Sequence, residues 1–474
     1  MNHDPSLQIV SRSVGQPLDG GAHRRSATLL AVCVLVSSTT MLRAEGLRLS
    51  VFDVDVTPPV GSMMAYDPVK ARGELGLRGR GVVLLGAGEP IVLCAMDWIG
   101  ISNEAHDVFR RTLAEATGTT PQRVAVHTVH QHDAPQCDFE AERLLRRRGM
   151  PLGPYEGSFA RAALERLTTA VRVAMDESAP VTHLGVGQAQ VKKVASNRRL
   201  LGPDGKVRAT RWTATRDPAL RAEPEGTIDP IVSLISFWNG DQPLAVLSYY
   251  ACHPQSYYRT GVANPDFPGI ARFLRQQQVP DALHIHFNGA GGNLGAGKYN
   301  DGSHPTRWVL AQRLADGMKR AWEATEKSVL AAKDVGWMVA PVALPPAAHL
   351  TEAELEAALD GSDKNLHAGA AAQLVWLRRC RAGHRTELSC LRLGTARVVH
   401  LPGELFVEYQ LAAKQMRPDL FVAMAAYGDY GPGYIGTAIA YEQGGYETSP
   451  RASSVAPDVE AVLMDGLRKL LRDE

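Results

Sequence analysis

The sequence predicts an α/β fold in which mixed β-sheets are covered by helices, and three observations predict it. Short apolar or alternating segments of strand character recur between stretches of helical spacing. Proline and glycine, 29 and 44 among 474 residues, punctuate the ends of those strands. Hydrophobic residues make up 45% of the chain, enough for a large buried core in one large domain or two intimate ones. Lys plus Arg (51) against Asp plus Glu (50) leaves a formal charge of +1, and no basic block is present to neutralise a run of phosphates. Nucleic acid is thereby excluded as the expected partner.

In chain order, Arg24 and Arg25 precede the apolar run ATLLAVCVLV, a polar SSTT and a small-residue exit at Ala44. That order predicts a secretory signal over residues 1–44, with export to the periplasm or the extracellular space and a catalytic region over 45–474. An uncleaved anchor is the alternative, although the apolar run is short of the about 20 residues that a membrane span needs. Val32 before Cys33 is a poor lipoprotein cleavage box, so no lipidation is expected. The other cysteines, Cys94, Cys137, Cys252, Cys380 and Cys390, are odd in number and lack C-x-x-C spacing, which argues against a disulfide framework. Cys380 and Cys390 either pair or remain buried thiols.

LRLSVFDVDVTPPVG alternates like a strand and stops at Pro-Pro, while GVVLLG and PIVLCAMDWIG read as a buried hairpin. AHDVFRRTLAEATG has helical spacing, RVAVHTVHQH is a strand, and GSFARAALERLTTAVRVAMDES is a long amphipathic helix. The alternation continues through the strands IVSLISFWNG, PLAVLSYYACHP and ALHIHFNGAGGN, with helices over FPGIARFLRQQQ and around TRWVLAQRLADGMKRAWEATE. Val335 to Gly369 reads as an edge strand, a Pro-rich connection and a helix capped by Thr351 with Glu354; it is either a lid or an excursion. ELSCLRLG and ARVVHL return to strand period, followed by a helix from Glu404 to Lys414 and the Gly/Tyr-rich loop YGDYGPGYIGTAIAYEQGGYE.

The chemistry-bearing residues cluster at strand ends. If RVAVHTVHQH stays extended, His130 and His132 share one face and His127 takes the other. Such a pair serves a metal or simply hydrogen-bonds at a sheet edge. SYYACHP repeats the design, ending an apolar strand on His253 before Pro254, and ARVVHLPGE brings Glu404 to a third strand end. Glu404 alone reads equally as a charge stabilising a helix N-terminus. Together, two imidazoles and a carboxylate match the ligand set of a catalytic zinc with an open position. Two further motifs compete. His284 and His286 in LHIHF form a second H-x-H pair. GNLGAGKY spaces Gly292, Gly297 and Lys298 like a P-loop but has Tyr299 where Ser or Thr must hold magnesium, so a tight backbone passage is the better reading.

The succession FDVDVTPP, VHQHDAP, SNRR, PLAVLSYYACHP, PGELF and YIGTAIAYEQGGYE resembles the catalytic domain of neutral ceramidases, which are zinc amidases. The resemblance runs from about Val51 to Glu447. It implies zinc (Zn2+) on His130, His253, Glu404 and Tyr434, with His132, Arg198 and Tyr446 in catalytic roles. His284 and His286 match no ligand position. Gln131, Asp133 and Ala134 depart from the family motif beside the expected substrate site, which puts substrate preference in question. The chain ends soon after Glu447, so the expectation is a catalytic domain with no C-terminal immunoglobulin-like domain.

The implied reaction is hydrolysis of an N-acyl, ceramide-like amide by zinc-activated water, with zinc and Tyr446 facing the oxyanion and His132 passing a proton to the leaving amine. Arg198 would orient a polar group of the substrate, the alternative being a solvated surface arginine. The implied partner is a small-molecule or lipid amide, with transient contact at a membrane surface. Two rivals remain: a non-catalytic exported lipid- or glycan-binding protein on the same scaffold, and a zinc hydrolase of another amide or ester.

Overall fold

Three sheets meet on one central core, and each is backed by helices on its outer side. In this computed structural model residues 46–472 are described, and the signal expected over residues 1–44 lies outside them. The first sheet runs in the spatial order Val124–Thr128, Ile91–Met96, Arg78–Leu85, Arg48–Asp55, Ala179–Pro180. The second runs Leu283–Asn288, Gln242–Tyr250, Ile231–Asn239, His183–Gln190, Glu326–Val329. The third runs Val335–Val342, Thr386–Leu393, Ala396–His400, Phe421–Ala425. The described residues cluster into one unit.

Strand alternation builds the layers. Leu84 and Leu93 of the first sheet join Ile235, Leu247 and Phe287 of the second and Leu391 and Val398 of the third in the central core. Their neighbours Val83 and Cys94 point the other way, onto Phe109 and Leu167 of the helices Glu104–Thr117 and Ser158–Asp176. Val246 likewise faces Phe267 and Leu310 of the helices Asp266–Gln278 and His304–Glu323. Each such fully buried aliphatic side chain stabilises the fold by about 1.5–3 kcal/mol.

One feature of the topology positions the site. Each sheet is mixed and contains one parallel pair: Ile91–Met96 with Val124–Thr128, Gln242–Tyr250 with Leu283–Asn288, and Ala396–His400 with Phe421–Ala425. Their carboxyl ends are tied together by main-chain bonds, Thr128 N to Tyr427 O (2.9 Å) and Ala426 N to Asn288 O (2.9 Å). Carboxyl ends of parallel strands are where α/β folds place ligands, because the chain leaves the sheet there and frees side chains to converge.

The expected hairpin and alternating helices are present, and three details differ from expectation. The strand carrying the first histidines ends at Thr128; His130 has φ 75°, so strict alternation no longer governs His130 and His132. Glu404 does not open a helix. It sits in a short strand, Glu404–Leu405, parallel to Tyr434–Ile435, and the helix runs Val407–Met416, because Glu404 N is already taken by Gly433 O (2.9 Å). The segment after Val335 is an edge strand and a Thr351-capped helix, Glu352–Asp360, followed by an Ala-rich helix, Lys364–Arg381, that the sequence reading did not name. Leu355, Leu359 and Leu374 of these helices enter the core, so this is a packed excursion and not a lid. Cys380 and Cys390 are free thiols. Among the described residues, no helix is long and apolar enough to cross a membrane.

Candidate metal centre and active site

His130 lies just beyond its strand in a left-handed conformation that a branched or bulky residue adopts only under constraint. The constraint is visible. Its N–H donates to Trp98 O (2.8 Å), its Nδ1 donates to Ile99 O (2.6 Å), and its ring stacks on Tyr427 (centroids 4.6 Å, 26°). Donation from Nδ1 fixes the tautomer and leaves Nε2 as a lone-pair donor. That Nε2 stands 3.3 Å from Glu404 Oε2, and His253 Nδ1 stands 3.5 Å from the same oxygen. Glu404 Oε2 and His253 Nδ1 are buried with no hydrogen-bond partner.

The other carboxylate oxygen is occupied. Tyr430 Oη donates to Glu404 Oε1 (2.5 Å), which orients the carboxylate and turns Oε2 towards the imidazoles. His132 Nε2 faces His253 Nε2 at 2.8 Å, while His132 Nδ1 has no partner. Among the described residues, nitrogens of His130, His132 and His253 form a group within 4.8 Å of one another. Burial holds the pKa values of His132 and His253 well below the ordinary histidine range. Both are thus neutral ligands or bases at pH 7.

These residues fit a divalent metal. Tetrahedral ligands at about 2.0–2.1 Å from zinc are separated by about 3.3–3.4 Å, close to the 3.3 and 3.5 Å spacings around Glu404 Oε2. An orphaned buried carboxylate oxygen facing two imidazole lone pairs is costly unless a cation lies between them. The three donors that the sequence reading placed on separate strand ends are therefore in one place.

Tyr434, the fourth expected ligand, is buried, its ring parallel to that of His253 (6.3 Å, 2°). Its Oη lies 3.4 Å from Arg198 Nη2. Arg198 is no solvated arginine: its side chain is 2% exposed and ion-paired to the buried Glu447 at 2.7 Å. Its contacts place it behind Tyr434. Tyr446 is at the mouth, 36% exposed, its ring edge-on to Tyr434 (5.8 Å). Tyr441, by contrast, pairs with Ser453 Oγ (2.9 Å).

The departures from the family motif serve the scaffold. Gln131 Nε2 donates to Asp97 Oδ1 (3.2 Å), which is paired with Arg272 Nη1 (2.8 Å). The Asp133 carboxylate accepts from Arg259 N (2.8 Å) and Thr260 Oγ1 (2.8 Å), tying down the loop after His253, and Ala134 is fully buried. The Gln131 Nε2 and Asp133 carboxylate contacts are thus internal to the scaffold, and Ala134 offers no polar side chain. The Gly-rich segment is a close backbone passage. A side chain on Gly292 would strike the Glu404 carbonyl, and Lys298 Nζ is taken by the Arg221 carbonyl (2.9 Å) with those of Ala222 and Glu223.

Sequence reasoning missed the residues that hold or cover the cluster. Tyr427 and Tyr430 lie in the tyrosine-rich loop that was noted without a role. Tyr66, stacked on His132 (5.5 Å, 11°), Tyr258, edge-on to it (5.3 Å), and Trp212, edge-on to Tyr446 (5.3 Å), carried no motif.

A buried His/Glu donor cluster at the carboxyl ends of parallel pairs, in helix-backed mixed sheets, defines an α/β fold with a candidate metal site. The particular fold is that of the neutral ceramidases. The chain is similar to neutral ceramidase from Pseudomonas aeruginosa with a TM-score of 0.64 and 17% identity, over 90% of this chain and 75% of that one. A ceramidase complexed with C2 gives a TM-score of 0.64 and 16% identity, over 89% of this chain and 74% of that one. No protein-family model and no curated protein matches the chain.

Proposed function

We propose that the protein is an exported zinc-dependent amidohydrolase that cleaves the linear amide of N-acyl compounds. The carrying observation is the trio His130 Nε2, His253 Nδ1 and Glu404 Oε2, the last two without a hydrogen-bond partner, spaced as ligands on one small cation. The ceramidase-like fold supports amide hydrolysis as the reaction, and the features of residues 1–44 support export.

His130, His253 and Glu404 would hold the metal, with Tyr434 beside them as the fourth group. Zinc bound there would supply a Lewis acid that polarises the amide carbonyl and lowers the pKa of water towards about 7. His132, neutral and with the proton on Nδ1 when its Nε2 accepts from His253 Nε2, would take the proton of the attacking water on Nε2 once that contact opens and return it to the departing nitrogen. The bond from water oxygen to carbonyl carbon forms, the C–N bond breaks, and the products are a carboxylate and an amine. Tyr446, at the mouth, donates its hydroxyl to the oxygen on which charge develops. Arg198, fixed by Glu447, keeps positive charge beside Tyr434 Oη.

The test is metal analysis of purified protein by inductively coupled plasma mass spectrometry, with amide hydrolysis measured on the same sample. One zinc per chain and loss of both metal and activity in His130→Ala are expected. Absence of stoichiometric zinc, or full activity in that variant, would overturn the reading.

A further inference from the structure

Two chains of ring contacts lead from exposed aromatic side chains to the donor cluster. On one side Tyr66 and Tyr258 pack edge-on against each other (5.0 Å) and flank His132. On the other, Trp212 meets Tyr446, which meets Tyr434, whose ring parallels His253. Tyr66, Tyr258, Trp212 and Tyr446 are 40%, 38%, 50% and 36% exposed, a concentration of accessible ring surface at one mouth. Exposed rings gathered in this way mark a binding surface rather than chance.

Beside Tyr258 lies a cavity of about 310 Å³, lined by the polar side chains of Thr213, Arg216, Gln255 and Asp301 and by the rings of Tyr257 and Tyr258, with small residues between them. It follows His253 directly in the chain and shares Tyr258 with the cluster. The cavity is preformed. Asn300, fully buried, donates from Nδ2 both to Thr213 O (2.7 Å) and to Ser256 O (2.7 Å), pinning the two loops together. Thr213 Oγ1 donates to Gln255 Oε1 (2.7 Å), so the amide orientation is set in advance.

Hydrocarbon chains gain from leaving water where the lining is predominantly apolar. This lining offers ring faces and fixed polar groups instead. Flat rings pack against the C–H face of a saturated ring, while hydroxyl edges reach the amide, hydroxyl and charged groups around it.

We infer that the substrate is a water-soluble N-acyl amide whose amine half is a small polyhydroxylated ring, held between Trp212 and Tyr258, and that long-chain lipid amides are poor substrates. This rests on the amidohydrolase reading and names its substrate class. The reaction stays the same hydrolysis, releasing a short carboxylate and the hydroxylated amine.

The experiment compares kcat/KM of the zinc-loaded full chain for N-acetylglucosamine and for N-hexadecanoylsphingosine in mixed micelles. In parallel, glucosamine is titrated while tryptophan fluorescence is followed. At least a tenfold preference for the sugar amide is expected, with a saturable fluorescence change that Trp212→Phe abolishes. In Tyr258→Ala, KM for the sugar amide should rise at least tenfold while kcat falls less. Both side chains are partly exposed, and thermal melts confirm that the variants fold. A higher kcat/KM for the sphingosine amide, or KM within twofold of wild type in Tyr258→Ala, overturns the substrate class while leaving the amidohydrolase reading intact. Failure to cleave either amide with zinc bound overturns that reading, and a saturable, Trp212-dependent fluorescence change would then uphold the subsite independently of it.

Discussion

The chain carries two His-x-His pairs of the same spacing, His130 with His132 and His284 with His286, and folding sends them to opposite fates. The second pair lies inside a strand, Leu283–Asn288, where the ladder satisfies the backbone and packing surrounds the rings. His286 Nδ1 shares a hydrogen bond with Ser248 Oγ (2.9 Å), and burial first, with nearby arginines, pushes both pKa values down to about 3. The first pair lies beyond the strand end, where the turn at His130 frees both imidazoles to meet His253 and Glu404. Spacing does not distinguish the pairs. Position relative to the strand's last ladder bond does, because inside the ladder a side chain's direction is fixed by the pleat.

The comparison breaks most sharply at the ligands. His130→Ala and Glu404→Ala each leave the remaining donors without a complete ligand set. Loss of stoichiometric zinc and a fall in turnover of about 10³-fold or more are expected, beyond the about 10–100-fold typical of residues that only orient a ligand. His286→Asn should retain one zinc per chain in the same metal analysis. Zinc lost from His286→Asn and kept in His130→Ala would reverse the assignment of the two pairs.

Metal removal is the next largest effect. A ligand present at about 1,000 times its Kd stabilises the folded state by about 4 kcal/mol. Dialysis against a chelator should therefore lower the thermal midpoint of the wild type, and zinc should restore it. Glu404→Ala should show the same midpoint with and without zinc. A chelator-insensitive wild type would deny the cluster its metal.

How far the sequence could be read follows from where its signals lie. The periods of two and 3.6 exposed the sheets and most helices, and strand-terminating prolines placed His253 and Glu404 at strand ends. The donor set came from residue type plus that placement. What stayed hidden was held by carbonyls and by long-range rings. Ile99 O, which fixes the His130 tautomer, has no side-chain signature, and Tyr66 is brought over His132 only by the tertiary fold. The scaffold contacts of Gln131 and Asp133 were hidden for the same reason: their partners Asp97 and Thr260 are distant in sequence. The tyrosine density of YGDYGPGY was the one available clue to Tyr427 and Tyr430.

Tyr430 gives a smaller effect that sharpens the first region. Tyr430→Phe removes the donor to Glu404 Oε1 and frees the carboxylate to rotate, with almost no change in volume. Zinc affinity, measured by competition with a chromophoric chelator, should fall about 10–100-fold. Tyr441→Phe, whose hydroxyl contacts Ser453, should leave it unchanged. Equal affinities in the two variants would reduce Tyr430 to a packing role.

The smallest effect belongs to the second pair and is read in acid. His286, with a folded pKa of about 3 against about 6.5 unfolded, stays neutral in the core while the unfolded chain takes up a proton. Its folded pKa is depressed, so the neutral core histidine costs nothing above the unfolded pKa, and stability is lost as pH falls from about 6.5 towards about 3, by about 1.4 kcal/mol per pH unit for each such residue. His127, also held at about 3, adds to the same slope in every variant that keeps it. His286→Gln retains a hydrogen-bonding group for Ser248 but does not titrate. The variant should be less stable than wild type at pH 7.5, where only the packing defect counts. The gap in urea midpoint should then close by the equivalent of about 1.4 kcal/mol for each unit below pH 6. A gap that stays constant from pH 7.5 to 4.5 would mean that His286 is protonated in the fold, and would remove the electrostatic half of the contrast between the two pairs.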